Sequence, residues 1–520
     1  MELEEESEEN IEEKKWKLLK PEEIIAYEEN IVYQDDSVRN IPSNLKTPYD
    51  FYSLFIDDNF LNKLVKYTNE YAQYKRKKNI KDKTKEEISQ RKTLAERWTD
   101  INLEGMEKYL TAIILMGLHH LPEYKDHFSK DQLLGSPIQK FITQWQYEKI
   151  CSFLHASEVG KKGKEKISEM IDDVMIKSQN YYYPGTCVTI DERMISYKGK
   201  SRFVVYEPAK PTRYGFRPYV LSDYKSGYTY QLQLLENLEE NDDGSKIYNL
   251  VIDFMKSLNK NNTTGIKHIL ATDGLYSSEK LLLENDFYFI GSIRYNRIKK
   301  KHKEILTPIK SGEYQYFYKK IDGKYLLLTK YMDNKLILII SNFLNSSNTL
   351  NRFRWNKKQC GYVKMKYPEV IKIYSHLMKG VDIGNQLISY YELKHKTYKW
   401  WKRILFHLID ISIVNSFIIY KKVICDKAMS QKNFRLEIIR AIAYKYGLFP
   451  VFKPLLKTNT MHLIKRAEKR GSCVHCSKTK NYKTAKTPTS LYICPECNVH
   501  LCVECFEMYH KSKFLLLLGE

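Results

Sequence analysis

Three aspartates and a cluster of cysteines carry the chemical potential of this sequence. Asp191 closes a short β-branched run, Thr186-Cys187-Val188-Thr189-Ile190, and Asp273 follows a second apolar run, Ile266–Ala271. Asp382 lies in a Gly380-Val381-Asp382 turn, ahead of a cationic and aromatic run from Lys394 to Arg403. Carboxylates gathered by a fold repel one another unless a divalent cation neutralises them. Mg²⁺ takes hard oxygen ligands and keeps positions for water and phosphate. Two such ions about 4 Å apart activate the attacking oxygen and stabilise the leaving one in phosphodiester chemistry. Any one of these aspartates reads equally well as a turn former. The set of three beside a basic strip points to metal-dependent work on a polyanion. Within that strip Lys394, Lys396, Lys399, Lys402 and Arg403 are expected to track phosphates, with Trp400 or Trp401 as a wedge or stacking surface. A tryptophan pair at a helix start suits an ordinary core as well.

The cysteines give the strongest local signal. Six of the ten fall between Cys473 and Cys505 as three C-x-x-C pairs, and His510 follows them. Thiolates at this separation are the ligand pairs of structural zinc. No apolar leader opens the chain, so zinc in a reducing compartment is expected instead of disulfides.

Composition supports a polyanionic partner. Lys+Arg number 85 against 63 Asp+Glu, a formal net charge of +22, which favours nucleic acid first and an anionic membrane second. The longest apolar run, Ile404–Tyr420, contains His407, Asp410 and Asn415. It is too short and too polar to span a bilayer comfortably, so it reads as a buried core helix and no membrane partner is expected.

The elements that must position the aspartates follow from period and punctuation. A chain of 520 residues exceeds what one core holds. Residues 1–40, opening on the acidic run Glu2–Glu13, are expected to form a disordered tail. Residues 41–180 show helical spacing, including Leu103–Gly117, with the basic cluster Lys75–Lys78 in a polar loop. From 181 the period becomes that of strands: a meander turning at Ser226-Gly227, then strand–helix units ending in acids, which together read as a mixed α/β core over 181–293. Residues 294–366 read as an antiparallel β insertion, opened by the basic patch Lys299–Lys303. The core resumes over 367–425, a helical and basic linker covers 426–472, and the cysteine-rich domain occupies 473–511. His268 and His395 read as satisfied histidines.

Several blocks, in this order, resemble those of piggyBac-type DDE/D transposases: TIDERMISYKGK (189–200), KPTRYG (210–215), TDGLYSS (272–278), IGSIRYNR (290–297), YMDNKLILIISNF (331–343), KGVDIGNQ (379–386) and VNSFIIY (414–420). Upstream, TPYDFYSLF (47–55), YTNEYA (67–72) and LTAIILMGLHHLPEYKDHFS (110–129) resemble the family's helical region. The resemblance implies an RNase H-like core interrupted by a β insertion, with Asp191, Asp273 and Asp382 on the catalytic triad. It implies two Mg²⁺ (or Mn²⁺) ions, cut-and-paste transposition at TTAA sites through a hairpin intermediate, action as a homodimer, and a nuclear location. Where the family's block is VDxxDQ, this chain has Asn385, which brings a carbonyl but neither charge nor base. YICPECNVHLCVECFEMYH resembles the family's cysteine-rich domain and cross-brace fingers of the RING or ZZ kind. In such a cross-brace Cys473, Cys476, Cys502 and Cys505 share one zinc. Cys494, Cys497 and His510 hold a second, with His500 ahead of His475 as fourth ligand. Two alternatives stand beside the active transposase: a domesticated DNA-binding protein that has lost turnover, motivated by Asn385, and a ubiquitin-ligase or adaptor role for the tail.

Overall fold

The computed structural model describes residues 16–518, apart from 21–22, 24–30, 82–92, 235–244, 284–286, 295–296, 299–302, 322–323, 347–348, 357–359, 394, 427, 449–463, 480–487 and 496. The acidic run 2–13, most of the 299–303 patch and Lys394 therefore lie outside the described residues. The chain divides into two compact units, Met1–Val451 and Phe452–Glu520.

The longer helices of the first unit are α1 (Pro48–Ser53), α2 (Asp58–Lys81), α3 (Leu103–Leu118), α4 (Gln144–Phe153), α5 (Ser168–Tyr181), α6 (Ser245–Lys260), α7 (Glu369–Leu377), α8 (Gly380–Ser389), α9 (Trp400–Ile424) and α10 (Gln431–Lys445). Several begin where side-chain oxygens satisfy the free N–H groups of a first turn. Thr47 pairs with Asp50 at α1, Thr143 pairs with Gln146 at α4, and Asn102 caps α3. Lys75–Lys78 lie within α2, not in a loop, because the helix runs on to Lys81.

Besides short two- and three-residue strands in two small sheets, the strands of the first unit are β1 (Lys17–Leu18), β2 (Cys187–Glu192), β3 (Tyr219–Asp223), β4 (Thr229–Gln233), β5 (Ile269–Thr272), β6 (Tyr288–Ser292), β7 (Tyr314–Ile321), β8 (Lys324–Met332), β9 (Leu336–Ser341), β10 (Thr349–Asn356) and β11 (Gly361–Pro368). Nine of them form one sheet in the order β1-β7-β8-β9-β6-β5-β2-β3-β4. Strands β2, β3 and β4 make the expected antiparallel meander, turning where Gly227 adopts φ +72°. Strands β5 and β6 run parallel to β2. This is the mixed α/β, RNase H-like core.

The expected β insertion is built onto the core sheet through β7–β9, and the expectation of a disordered tail needs correction. β9 pairs with β6 through Ile290–Ser341 and Ser292–Ile339, so the expected insertion extends the core sheet. Strands β10 and β11 stand apart from it, as a two-stranded ribbon. The tail is also partly ordered. β1 pairs with β7, the Trp16 indole Nε1 donates to Glu279, and the Gln34 N–H donates to Thr186 Oγ1 at 2.7 Å. An apolar indole and free edge hydrogen bonds outweigh the acidic composition there.

Helix α9 is apolar on every side and accordingly buried. Among the described residues it alone has the length and hydropathy to cross a membrane, and 89% of its apolar window is covered by protein. Its polar groups work locally. Asn415 accepts from the Thr229 N–H (3.0 Å) and donates to the Thr229 carbonyl (2.8 Å), closing the free edge of β4. Asp410 accepts from the Leu393 N–H (3.0 Å) and from Arg435 Nη2 (3.2 Å), both side chains fully buried. Asp410→Ala leaves Arg435 uncompensated in the core, so unfolding in denaturant is expected to lose about 3–5 kcal/mol of stability. A loss under about 1 kcal/mol would mean that water reaches the guanidinium.

Candidate active site

The sheet itself places two of the aspartates together. β5 pairs with β2 in parallel, with Leu270 opposite Val188 and Thr272 opposite Ile190. One step further along the same register, Asp273 stands beside Asp191 where the two central strands end. Neighbouring strands lie about 4.8 Å apart. Candidate ligand oxygens of Asp191, Glu192 and Asp273 all lie within 4.8 Å of one another. Glu192 was not among the expected site residues; its only sequence signal is its position directly after Asp191.

Charge is poorly compensated here. Burial, Glu192 and Asp273 push Asp191 well above the usual carboxylate range. Burial and Glu192 also raise Asp273, opposed by the Leu275 N–H (2.8 Å from Oδ1), Arg294 and Lys210. Lys210 Nζ stands 4.0 Å from Glu192 Oε2. Two phenols approach the same carboxylates. Tyr374, on α7, is raised by burial, with Asp273 and Asp191 adding to the effect. The hydroxyl of Tyr276 is buried without a hydrogen-bond partner and is likewise raised, first by burial and then by Glu192, Asp191 and Asp273. An all-oxygen donor set, half-buried and beside an orphaned hydroxyl, fits a hard divalent cation with water.

Asp382 stands outside this set. It occupies the first turn of α8 and is exposed. Helix α8 packs against β2 and β3, on the face where Thr189 Oγ1 donates to the Leu377 carbonyl at 2.7 Å. Alternation along a strand puts Asp191 on the Thr189 face, so Asp382 and Asp191 share one side of the sheet. The close approach needs glycines. A Cβ on Gly380 would sit 2.8 Å from the Asp223 carbonyl, and one on Gly384 2.7 Å from that of Gly227. With those glycines turned inward, position 382 lies about 200° round the helix from Gly380 and faces outward.

Asn385 has a different task from the one expected. Its Oδ1 accepts from Nε of Arg193, whose Nη2 reaches Thr229 Oγ1 at 3.3 Å. Burial pulls Arg193 down to about 10, still charged at neutral pH. Asn385 thus fastens α8 to the segment after β2. Asn385→Ala removes the acceptor of a buried cation and is expected to cost about 1–3 kcal/mol in thermal or urea unfolding. An unchanged midpoint would show that the brace carries no stability.

The basic strip is largely internal, which corrects the phosphate-tracking expectation for Lys399, Trp400, Lys402 and Arg403. Lys402 Nζ donates to the Cys151 carbonyl and Lys399 Nζ to that of Ser152 (3.2 Å), both at the C-terminal turn of α4. These lysines satisfy helix-end carbonyls. Burial lowers Lys402 to about 7 and Lys399 to about 8. Arg403 donates to the carbonyls of Ser196 (3.1 Å) and Leu393 (3.0 Å) and pairs with Glu392. Trp400 packs on Phe203, and Trp401 is core. Lys396 remains exposed. His395 meets Tyr147 Oη at 3.0 Å, and His268 meets Tyr183 Oη at 2.8 Å, so both are satisfied as expected.

In the second unit, strands β12 (Lys465–Ser472), β13 (Thr489–Cys494) and β14 (Val499–His500) form a small sheet beside α11 (Val474–Thr479) and α12 (Val503–Leu518). Cys473, Cys476, Cys502 and Cys505 come together, with Cys476 Sγ 3.4 Å from Cys505 Sγ and 3.8 Å from Cys502 Sγ. Sulfurs about 2.3 Å from a tetrahedral zinc have such separations. Cys494, Cys497 and His510 form the second set, with Cys497 Sγ 3.7 Å from His510 Nε2. The other ring nitrogen of His510 is fixed by the Phe506 carbonyl at 2.6 Å, the orienting contact that ligand histidines use. The interleaving of the two sets is that of a cross-brace. His500 does not join the second set. Its Nδ1 meets the Ser490 carbonyl at 3.2 Å, and its ring lies where a Cβ on Gly471 would be, 2.2 Å away. Among the described residues no fourth ligand completes that set.

Comparison with known proteins agrees with this architecture. The family model described as Transposase IS4 matches residues 47–417, and the one described as DDE_Tnp_1-like zinc finger matches residues 457–511. The chain is 21% identical over 492 residues to PiggyBac transposable element-derived protein 3 of Homo sapiens, covering 90% of this chain and 77% of that one. PiggyBac transposable element-derived protein 2 of Homo sapiens is 20% identical over 426 residues, 78% of this chain and 66% of its own. In structure the chain is similar to the protein in a cryo-EM structure of a piggyBac transposase synaptic complex with hairpin DNA. The TM-score is 0.64 at 19% identity, over 91% of this chain and 100% of that one. The matched region builds the sheet and carries all three aspartates, and the chain therefore belongs to the Transposase IS4 family, as a piggyBac-type member with a C-terminal zinc finger.

Proposed function

We propose that this protein is a cut-and-paste DNA transposase, cleaving phosphodiester bonds and transferring strands at TTAA sites in the nucleus as a homodimer. The observation that carries the reading is the juxtaposition of Asp191 and Asp273 by the β2–β5 register, with Glu192 alongside. Family membership supports it, as does the net charge of +22. The solved relative is described in complex with hairpin DNA. Asp191 and Asp273 are the residues to hold Mg²⁺ or Mn²⁺, with Asp382 as the third acid, supplied from α8 on the same side of the sheet. When bound, the metal polarises the scissile phosphate and lowers the pKa of the attacking water. The chain's own residues orient the acids: β2 and β5 fix two of them, and the Arg193–Asn385 brace fixes the helix that bears the third. Lys210 and Arg294, which act on Asp273, and the exposed Lys396 are cations available to phosphate. The cysteine sets hold two structural zinc ions.

One observation favours a second reading, a domesticated DNA-binding protein without turnover: Asp382 lies outside the carboxylate set. The deciding experiment incubates purified protein and Mg²⁺ with DNA carrying the repeats that flank its gene, abutting TTAA, beside Asp191→Asn and Asp382→Asn variants. Nicking and hairpin formation that both variants lose establish the transposase. Binding without cleavage, in Mn²⁺ as well, leaves the domesticated reading. Absence of binding overturns both.

A further inference from the structure

The ribbon of β10 and β11 has two unlike faces. Its pairing is regular, with Asn351 opposite Lys366, Phe353 opposite Lys364, and Trp355 opposite Tyr362. Residues directly opposite in an antiparallel pair share a face, so these six side chains form one surface. Alternate residues Arg354 and Met365 face the protein. Arg354 binds Asp333 and Asn334 in the β8–β9 turn, and Met365 fills the space over Gly312. That anchoring fixes which face is outward.

The outward face is uncovered. Phe353 is 66% exposed, Trp355 52% and Tyr362 72%, and Asn351, Lys364 and Lys366 are exposed too. Trp355 and Tyr362 hold an edge-to-face contact with centroids 5.4 Å apart, so the rings are preorganised. Among the described residues none on this face is acidic. Among the described residues no acidic side chain pairs with Lys364 or Lys366. Three aromatic rings left in water are costly unless a partner covers them.

We infer that this face binds unpaired nucleotides of a DNA strand, with bases stacked on Phe353, Trp355 and Tyr362 and phosphates held by Lys364 and Lys366. Charge complementarity excludes an acidic partner face less than it excludes a basic one, and the aromatic spacing decides between nucleic-acid forms. Groove readers present polar and cationic side chains to base edges, whereas aromatic platforms with flanking cations are how single strands are held without sequence preference. The inference rests on the DNA reading above and gives it a strand-binding surface distinct in its residues from the carboxylate set.

The test uses the full chain and fluorescein-labelled probes, a 20-nucleotide oligo-dT strand and a duplex of equal length, followed by anisotropy at two salt concentrations. The combined Phe353→Ala, Trp355→Ala and Tyr362→Ala variant is expected to bind the single strand at least about 10-fold more weakly, with duplex affinity changed less than about threefold. Lys364→Gln with Lys366→Gln should flatten the salt dependence of single-strand binding. The substituted side chains are exposed, so the thermal midpoint serves as the folding control. Equal single-strand affinity in the aromatic variant overturns the inference while duplex binding preserves the DNA reading. A wild type that binds neither probe overturns both. A variant that turns from dimer to monomer in sedimentation, with strand affinity intact, assigns the face to a second copy of the chain and overturns the inference.

Discussion

Asp191→Asn is expected to abolish strand cleavage and to make the metal-free protein more stable. The carboxylate is half-buried beside Glu192 and Asp273, and burial and both neighbours push it toward the protonated form. Removing one charge relieves both desolvation and repulsion, so the melting temperature measured in chelator should rise by a few degrees. The same change removes an anionic oxygen from the set that would hold the metal. Metal stabilisation of a phosphoryl transition state is worth several kcal/mol, so cleavage should fall on the order of 10³-fold or more. Opposite signs for stability and activity are what a site held under electrostatic strain produces. If the variant melts lower and cleaves normally, Asp191 is a structural turn residue and the metal reading fails.

Removal of zinc should be the largest stability effect in the chain. The second unit is short, and its core consists chiefly of the cysteines with Leu501 and Tyr509. Structural zinc contributes roughly 10–16 kcal/mol of apparent binding free energy in finger peptides, far beyond what so small a core supplies. The full chain should carry two zinc ions by atomic absorption. A strong chelator should expose the amides of 464–511 to hydrogen exchange and leave those of β2 and β5 protected. Cys476→Ser should reduce the zinc content, and His500→Ala should not, since His500 packs over Gly471 and binds the Ser490 carbonyl. A full zinc complement in Cys476→Ser, or its loss in His500→Ala, would reverse the ligand assignment.

What was legible in the sequence was set by local rules. The two parallel strands show as apolar runs stopped by an acid, and the cysteine pairs show as spacing; both are properties of a few adjacent residues. What stayed hidden depends on what lies across the fold. Lys402 and Arg403 look like solvated cations because the carbonyls that bind them, Cys151, Ser196 and Leu393, come mostly from distant elements. Asn385 looks like a weakened ligand because its partner Arg193 belongs to another block. The β7–β9 strands read as an insertion because periodicity reports strands but not which sheet they join. Tyr374 and Tyr276 had no signal at all, being ordinary aromatics until the fold brings them beside the carboxylates.

The β2–β5 pairing has a consequence for how this site tolerates change. The segment between Asp191 and Asp273 can lengthen or shorten in its loops at little cost, since loop closure depends only weakly on length. The hydrogen-bond ladder from Ile269–Cys187 to Thr272–Ile190 allows no such freedom. One inserted residue within β5 turns every side chain to the other face and carries the aspartate roughly 3.3 Å along the strand. The distance between the two acids along the chain is therefore free to drift among descendants of this sequence, while their distance across the sheet is locked.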